Sequence, residues 1–411
     1  MVLGDTIAAI ATAPGRGGVA IVRVSGPEAF AVARRIAGKE PTAGKTVRAR
    51  FAGVDDGVMV VFAAPHSYTG EDVVEFQGHG GAIAPRRVLE ACLAAGARLA
   101  RRGEFTERAF LNGRLDYDQA ESVLDLVDAK TVRAADAALE GLAGRRHREC
   151  GELYETALGI STELEHALDV SEEELPDGFI EGMQARIGRL RERLAAAVAR
   201  ANEGKILRQG ALVVLAGPPN AGKSSLMNAL LEENRAIVSD IPGTTRDSIE
   251  EWLDLDGWPI RLVDTAGLRT TADEIESEGV KRAEALVAEA DVVLGLDCDF
   301  GLRVHSKCDL GRGEGLNVSA KTGEGLEELK RAVIAEIEKR VAEPGEGDSA
   351  PQGEGLIEAL ATLDAEAGRP FDMVLVANAL RKTSELLGAM VGAVYSEDML
   401  SKLFSRFCVG K

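Results

Sequence analysis

Residues 211–224 read ALVVLAGPPNAGKS. The run ALVVLAG is short and unbroken in its apolarity, the pattern of a strand covered on both faces of a parallel sheet. Gly217 to Ser224, GPPNAGKS, then fits the phosphate-binding spacing GxxxxGK[ST], and an apolar helical pattern follows. Strand, glycine-rich loop and helix in that order are what phosphate binding requires. The glycines let backbone N–H groups turn toward the phosphates, and the helix N-terminus adds the positive end of its dipole. Lys223 is placed to bridge the β- and γ-phosphates and Ser224 to ligate Mg²⁺. The expected fold around this stretch is an α/β P-loop nucleotide-binding domain.

Working toward the C-terminus, DIPGTTRD (240–247) sets Thr244 and Thr245 in a loop after the first helix, where a switch threonine can close on Mg²⁺ and the γ-phosphate. IRLVDTAG (260–267) is a second buried strand. It ends in Asp264, which can hold the magnesium through a water, and in Gly267, whose N–H can sense the γ-phosphate. Ser306-Lys307-Cys308-Asp309 stands where GTPases usually carry Asn-Lys-x-Asp. Asp309 keeps the carboxylate that reads guanine, whereas Ser306 has no side-chain amide to offer. Ser319-Ala320-Lys321 supplies the last guanine loop, so GTP is expected rather than ATP. The nucleotide contacts expected are Asn220, Ala221, Gly222, Lys223, Ser224 and Ser225; Ser239, Asp240, Ile241, Pro242, Gly243, Thr244 and Thr245; Asp264, Thr265, Ala266 and Gly267; and Lys307, Asp309, Ser319, Ala320 and Lys321. Between DVVLGLD (291–297) and Lys307 the chain is short for such a domain, with little room for the usual helix.

Length bounds the rest. A chain of 411 residues exceeds one core of ordinary size, and 45% hydrophobic with 28% charged residues is a globular balance. A net charge of −19 excludes a general nucleic-acid coat, because counterion release needs clustered cations. The basic runs at Arg101–Arg102 and at residues 145–148 read as solvated helix faces, so any RNA contact is expected to be local. Five scattered cysteines without CxxC spacing indicate neither a disulfide framework nor a zinc site. No run approaches the roughly 20 apolar residues of a membrane span, and no leader pattern opens the chain. A cytoplasmic location is expected.

Four stretches follow from pattern. Residues 1–112 show short apolar runs between Gly and Pro turns, an α+β domain; residues 113–208 turn helical; 209–341 form the P-loop (G) domain; and 342–411 are helical again after the linker-like AEPGEGDSAPQGEG. The two helical stretches are expected to pack as one discontinuous all-α domain into which the G domain is inserted.

The strings outside the G domain carry a more specific signal. DTIAAIATAPGRGGVAIVRVSG (5–26), SYTGEDVVEFQGHGG (67–81), RGEFTERAFLNGRLDYDQAE (102–121) and the tail FSRFCVGK (404–411) resemble the tRNA modification GTPase family MnmE (TrmE). The tail has Val409 where Ile is common. The resemblance spans essentially the whole chain. It implies a homodimer whose N-terminal domains bind a one-carbon tetrahydrofolate, the 5,10-methylene form in turnover. It further implies an FAD-containing partner, MnmG (GidA), and addition of an aminomethyl or carboxymethylaminomethyl group at carbon 5 of the tRNA wobble uridine. FAD would sit on the partner only.

Carried onto matching positions, the resemblance makes Arg23, Glu75, Arg114 and Lys411 folate contacts, with Arg114 where some relatives have Lys. Read from the residues alone, Arg23 and Glu75 are ordinary strand-edge charges. Ser224 and Thr245 are the expected Mg²⁺ ligands; the resemblance makes Asn220, Ser239, Ile241 and Thr244 ligands for K⁺ and Glu276 the catalytic carboxylate, since Leu268 occupies the place after DTAG where other GTPases hold a water-orienting Gln. Cys408 is implied to lie near the modification centre, with a direct chemical role; on sequence alone, between Phe407 and Val409, it reads as a small buried hydrophobe. Two other function classes remain at this level: a ribosome-assembly GTPase, and a folate-dependent aminomethyltransferase acting alone. The first would need a basic RNA-binding module, and no GxxG loop in a basic setting follows the G domain.

Overall fold

The computed structural model describes residues 4–170, 175–234, 250–264, 284–342, 351–367, 369–391 and 397–411. It divides into two compact units, one of residues 1–124, 141–144 and 394–411 and one of 125–140 and 145–393.

The first unit is built on a six-stranded sheet of order β3-β4-β5-β2-β1-β6. Its strands are β1 (Ile7–Ile10), β2 (Val19–Ser25), β3 (Thr46–Phe51), β4 (Asp55–Phe62), β5 (Val73–His79) and β6 (Arg98–Leu99). All pairings are antiparallel except β1 with β6. Helices α1 (Ala29–Ala37) and α2 (Ala84–Ala94) cover one face, closing a core of Ala8, Val22, Val24, Phe51, Phe76 and their neighbours. Strand β1 has no polar residue because it is covered twice: Ile7 and Ala9 face a separate cluster with Ala100 and Phe105. Phe105 belongs to α3 (Glu104–Leu111), and α4 (Tyr117–Asp128) follows it. Ala120 and Leu124 of α4 join Leu400, Leu403, Phe404 and Phe407, from or just beyond α12 (Glu397–Ser405), in a further cluster.

The second unit holds the P-loop fold. A six-stranded sheet of order β12-β11-β10-β7-β9-β8 consists of β7 (Ala211–Ala216), β8 (Glu250–Leu255), β9 (Trp258–Asp264), β10 (Val292–Leu296), β11 (Leu302–Ser306) and β12 (Leu316–Val318). It is parallel throughout except for the β8–β9 hairpin. All six residues of β7 are buried, with Ala211, Val213 and Leu215 in one cluster and Leu212 and Val214 in another. This two-sided burial is why the sequence shows an unbroken apolar run rather than alternation. Helices α8 (Lys223–Asn234) and α9 (Leu326–Ala342) flank the sheet, and residues 284–289 are helical.

Four helices, α6 (Arg145–Leu168), α7 (Phe179–Gln209), α10 (Pro351–Asp364) and α11 (Met373–Val391), share a separate apolar cluster that includes Leu153, Ile160, Leu190, Leu194, Leu356 and Leu380. Helices from both sides of the P-loop fold therefore build one core. The short α5 (Val132–Leu142) instead places Ala134 in the cluster of the P-loop sheet, together with Ile206 and Leu207 from the end of α7.

The short stretch noted before Lys307 has a definite form. Parallel neighbours ordinarily need a crossover of a dozen or more residues; β10 and β11 are joined by residues 297–301 alone, with Leu294 opposite Leu302. No helix fits, and the chain folds back along β10 itself. A Cβ on Gly301 (φ 68°) would lie 2.4 Å from the Val293 carbonyl oxygen, so the reversal depends on glycine.

Candidate functional site

The phosphate loop is shaped by its backbone. Gly217 takes φ 147° directly beside β10, where a Cβ would stand 2.4 Å from the Leu296 carbonyl oxygen. Asn220 and Gly222 also have positive φ, of 66° and 89°. Asn is among the few side chains that tolerate this region. Lys223 is only 6% exposed and donates from Nζ to the carbonyls of Gly217 (2.9 Å) and Pro218 (2.8 Å), so its charge is held over the loop. The first residue beyond it on α8 is Ser224, whose hydroxyl donates to Asp264 Oδ2 at 2.6 Å. Parallel pairing of β7 with β9 brings the ends of the two strands side by side, and with them residues 40 apart in sequence. A hydroxyl and a carboxylate in contact beside a buried lysine form an oxygen-donor set suited to a hard divalent cation.

A cavity of about 290 Å³ opens beside this loop, and its walls include Gly222, Ser225, Lys307, Asp309, Ser319 and Lys321. Asp309 Oδ1 accepts a hydrogen bond from the buried Ser319 hydroxyl at 2.7 Å, which fixes its orientation and leaves the second oxygen of the carboxylate for a base edge. Lys307, at φ 57°, donates from Nζ to the Asn220 carbonyl at 2.7 Å and so ties this loop to the phosphate loop. Ser306 adds a second tie, its Oγ 2.5 Å from the Ala221 carbonyl oxygen.

The structure thus brings Asn220, Ala221, Gly222, Lys223, Ser224, Ser225, Asp264, Lys307, Asp309, Ser319, Ala320 and Lys321 around one phosphate loop and one cavity. Ser239, Asp240, Ile241, Pro242, Gly243, Thr244, Thr245, Thr265, Ala266, Gly267 and Glu276 lie outside the described residues.

The second set of expected residues meets in the first unit. Arg23 and Glu75 face one another across the β2–β5 ladder, with Nε and Oε1 2.9 Å apart and side chains 20% and 13% exposed. These strands are central in the sheet, so the strand-edge reading of the two charges does not hold. The Arg23 guanidinium lies 5.5 Å from the Tyr68 ring and 5.6 Å from the Phe105 ring, stacking distances for a cation over an aromatic face. Tyr68 Oη and Thr106 Oγ1 are 2.9 Å apart, and Arg114 Nε donates to the Ser67 carbonyl at 3.2 Å. The tail arrives at the same place, where Phe105 N–H donates to the Lys411 carbonyl at 3.2 Å. Arg23, Glu75, Arg114 and Lys411 are therefore gathered by the Ser67–Gly70 loop and the start of α3. Cys408 is exposed, not a buried hydrophobe, while its carbonyl accepts from Gly103 N–H at 3.4 Å.

Beneath this cluster lies a network that the sequence did not announce. Arg108 donates to Asp5 Oδ1 (2.6 Å), Glu71 (3.1 Å) and Glu104 (3.2 Å) with its side chain only 3% exposed. Arg98 pairs with Asp5 and Glu104, each at 2.7 Å. The bond from Arg98 holds Asp5 at about 2. Burial pushes Glu104 up, but bonds from Arg98, the Arg101 N–H and Arg108 overcome it and hold that carboxyl at about 2 as well. The alternation of Arg and Glu over residues 98–108 was the available signal, but the partners at Asp5 and Glu71 are too distant in sequence for it to identify them.

A parallel sheet with a glycine-rich loop opening a helix, a Ser–Asp pair at the cation position and a carboxylate-bearing base pocket define a P-loop GTPase. Two family models match the chain over nearly its whole length: "GTP-binding protein TrmE N-terminus" over residues 6–114 and "MnmE helical domain" over 118–408. A protein named tRNA modification GTPase MnmE from Alkalilimnicola ehrlichii is 43% identical, with 99% of each chain covered. Proteins of the same name from Neisseria meningitidis serogroup C and Stutzerimonas stutzeri are 41% and 39% identical at the same coverage. The chain belongs to the MnmE family of tRNA modification GTPases. The first of these alignments runs to 450 positions against the 411 residues here, so it opens gaps in this chain. No helix among the described residues is long and apolar enough to cross a membrane.

Proposed function

We propose that this chain hydrolyses GTP in the course of modifying the wobble uridine of tRNA, acting in the cytoplasm as a homodimer with an FAD-containing partner, MnmG. The observation that carries the reading is the meeting of Lys223, Ser224 and Asp264 beside the Asp309–Ser319 base pocket. Ser224 and Thr245 would hold Mg²⁺, which neutralises phosphate charge when bound. Asn220 with Ser239, Ile241 and Thr244 would hold K⁺, which takes the place of an arginine finger against charge developing on the transferred phosphoryl group. The Asn220 carbonyl already accepts from Lys307, so its side chain is the part suited to an ion. Glu276 would orient the attacking water. In the first unit Arg23, Glu75, Arg114 and Lys411 would hold a one-carbon tetrahydrofolate, which supplies the methylene carbon. The cations suit an acidic tail and Glu75 the N–H edge of a pterin. Cys408, exposed beside this cluster, is available for the chemistry.

The test is GTP hydrolysis by the purified chain in matched KCl and NaCl. We expect stimulation by K⁺ on the order of a hundredfold, the scale of one lost charge-stabilising group. It should vanish in Asn220→Gly, a replacement chosen because Gly, unlike Ala, accepts φ 66° without strain. Equal rates in the two salts would remove the potassium mechanism.

A further inference from the structure

Ser306 is the one residue of the base-pocket loop that departs from the usual GTPase pattern, and its surroundings show what the departure does. Its Oγ lies 2.5 Å from the Ala221 carbonyl oxygen on the phosphate loop and 3.0 Å from Asp297 Oδ2. Both neighbours are acceptors, and a hydroxyl has one proton. Whichever oxygen receives it, the other faces a lone pair. Asp297 is held on its other side as well. Its Oδ1 is engaged by the Ser306 backbone N–H at 3.3 Å and lies 3.0 Å from His305 Nδ1. His305 is itself held by a bond from Nε2 to the Gly311 carbonyl at 2.9 Å. Asp297 is also the first residue of the five-residue β10–β11 connection, at φ 52°, and its N–H donates to the Val304 carbonyl at 2.9 Å.

We propose that Asp297, Ser306 and the Ala221 carbonyl form a clasp between the phosphate loop and the guanine-reading loop. In it Ser306, offering one proton to two acceptors, is the positioning residue that sets how tightly the pocket holds a guanine nucleotide. A carboxamide at position 306 carries two N–H donors and would satisfy both acceptors at once. Ser306 therefore leaves the clasp one hydrogen bond short. Because Asp309 follows three residues later on the same loop, slack at residue 306 is slack in the carboxylate that reads the base. The inference rests on the cavity being the guanine site.

The experiment is titration of the full chain with GDP and with XDP, in Mg²⁺ buffer, for the wild type and three variants. Ser306→Asn supplies the missing donor from one side. Asp297→Asn supplies it from the other, since its amide can donate to Ser306 Oγ and free that proton for Ala221. We expect at least one of these two to bind GDP about tenfold more tightly than the wild type, the worth of one hydrogen bond to a charged or buried partner. Asp309→Asn replaces an acceptor by a donor at the base edge and should exchange preference for GDP for preference for XDP. GDP affinity unchanged or weakened in both clasp variants, with the XDP switch intact, overturns the clasp and leaves the guanine site standing. Absence of the XDP switch overturns the site itself, and the clasp with it.

Discussion

Arg108 shows how much one residue of the first unit organises. Its guanidinium reaches Asp5, Glu71 and Glu104, joining the start of the chain, the loop before β5 and the first turn of α3. Removing it takes from Glu71 its contact with a guanidinium, while Arg98 still pairs with Asp5 and Glu104, so the cost should lie at the low end of that for breaking a buried ion pair, about 3 kcal/mol. Arg108→Met, which retains most of the volume, should lower stability by about that amount at neutral pH, read by urea unfolding followed through hydrogen exchange of the α3 amides. The pH dependence gives the same prediction a sign. Asp5 and Glu104 are held at about 2 in the folded chain, below their ordinary values of 3.8 and 4.5. Their contribution is complete above the unfolded values and is lost as pH falls toward about 2. Arg98 remains in the variant and keeps most of that lowering, so the gap between wild type and Arg108→Met should narrow from pH 5 downward only by the smaller share that Arg108 contributes. A gap that is constant in pH would mean that Arg108 acts through packing alone.

At the scale of elements, legibility followed locality. The phosphate loop, Asp264 and the Ser319 loop were readable because each works through neighbours in sequence: a glycine before a helix, a carboxylate at a strand end. The Arg23–Glu75 pair was legible only through resemblance, since nothing within either strand says that residues 52 apart stand opposite. Asp297 was not legible at all. It lies in no motif, and its role arises from a connection of five residues where a helix is usual. That connection is also sensitive to substitution. Gly301 needs both its left-handed φ and the absence of a Cβ against Val293. Gly301→Ala should cost about 2 kcal/mol, from the roughly 1–2 kcal/mol of left-handed backbone with a side chain plus the displaced neighbour. The same variant should weaken GDP binding, because the shifted loop carries Asp297. Unfolding midpoints and GDP titration check it; unchanged values in both would mean that the reversal tolerates a side chain.

At the scale of the second unit, the 31-residue α7 runs between two cores. Leu190, Leu194, Ala197 and Val198 lie in the cluster of the four helices, and Ile206 and Leu207 in that of the P-loop sheet. Near that end α5 is fastened to the β8–β9 hairpin. Thr131 Oγ1 donates to the Gly257 carbonyl at 2.8 Å, Arg133 stacks 3.8 Å over the Trp258 ring, and Arg133 Nη2 reaches Glu203 of α7 at 2.6 Å. Strand β9 begins at Trp258 and ends at Asp264, the partner of Ser224. One strand therefore joins the nucleotide end of the sheet to the helices. A nucleotide that binds only the folded state stabilises everything that unfolds with its site, by about 2.7 kcal/mol at a hundredfold excess over Kd. Amides of β7 and α8 should be slowed in hydrogen exchange by GDP, and so should those of residues 132–138 and 203–207, which share their core. Helix α10, whose apolar residues lie in the other cluster, should gain less. In Arg133→Ala the gain at residues 132–138 should shrink while that of β7 persists, separating the fastening from the binding. Equal gains in α5 and α10, unaffected by Arg133→Ala, would show that the unit responds as one body and that the hairpin carries no special share of the coupling.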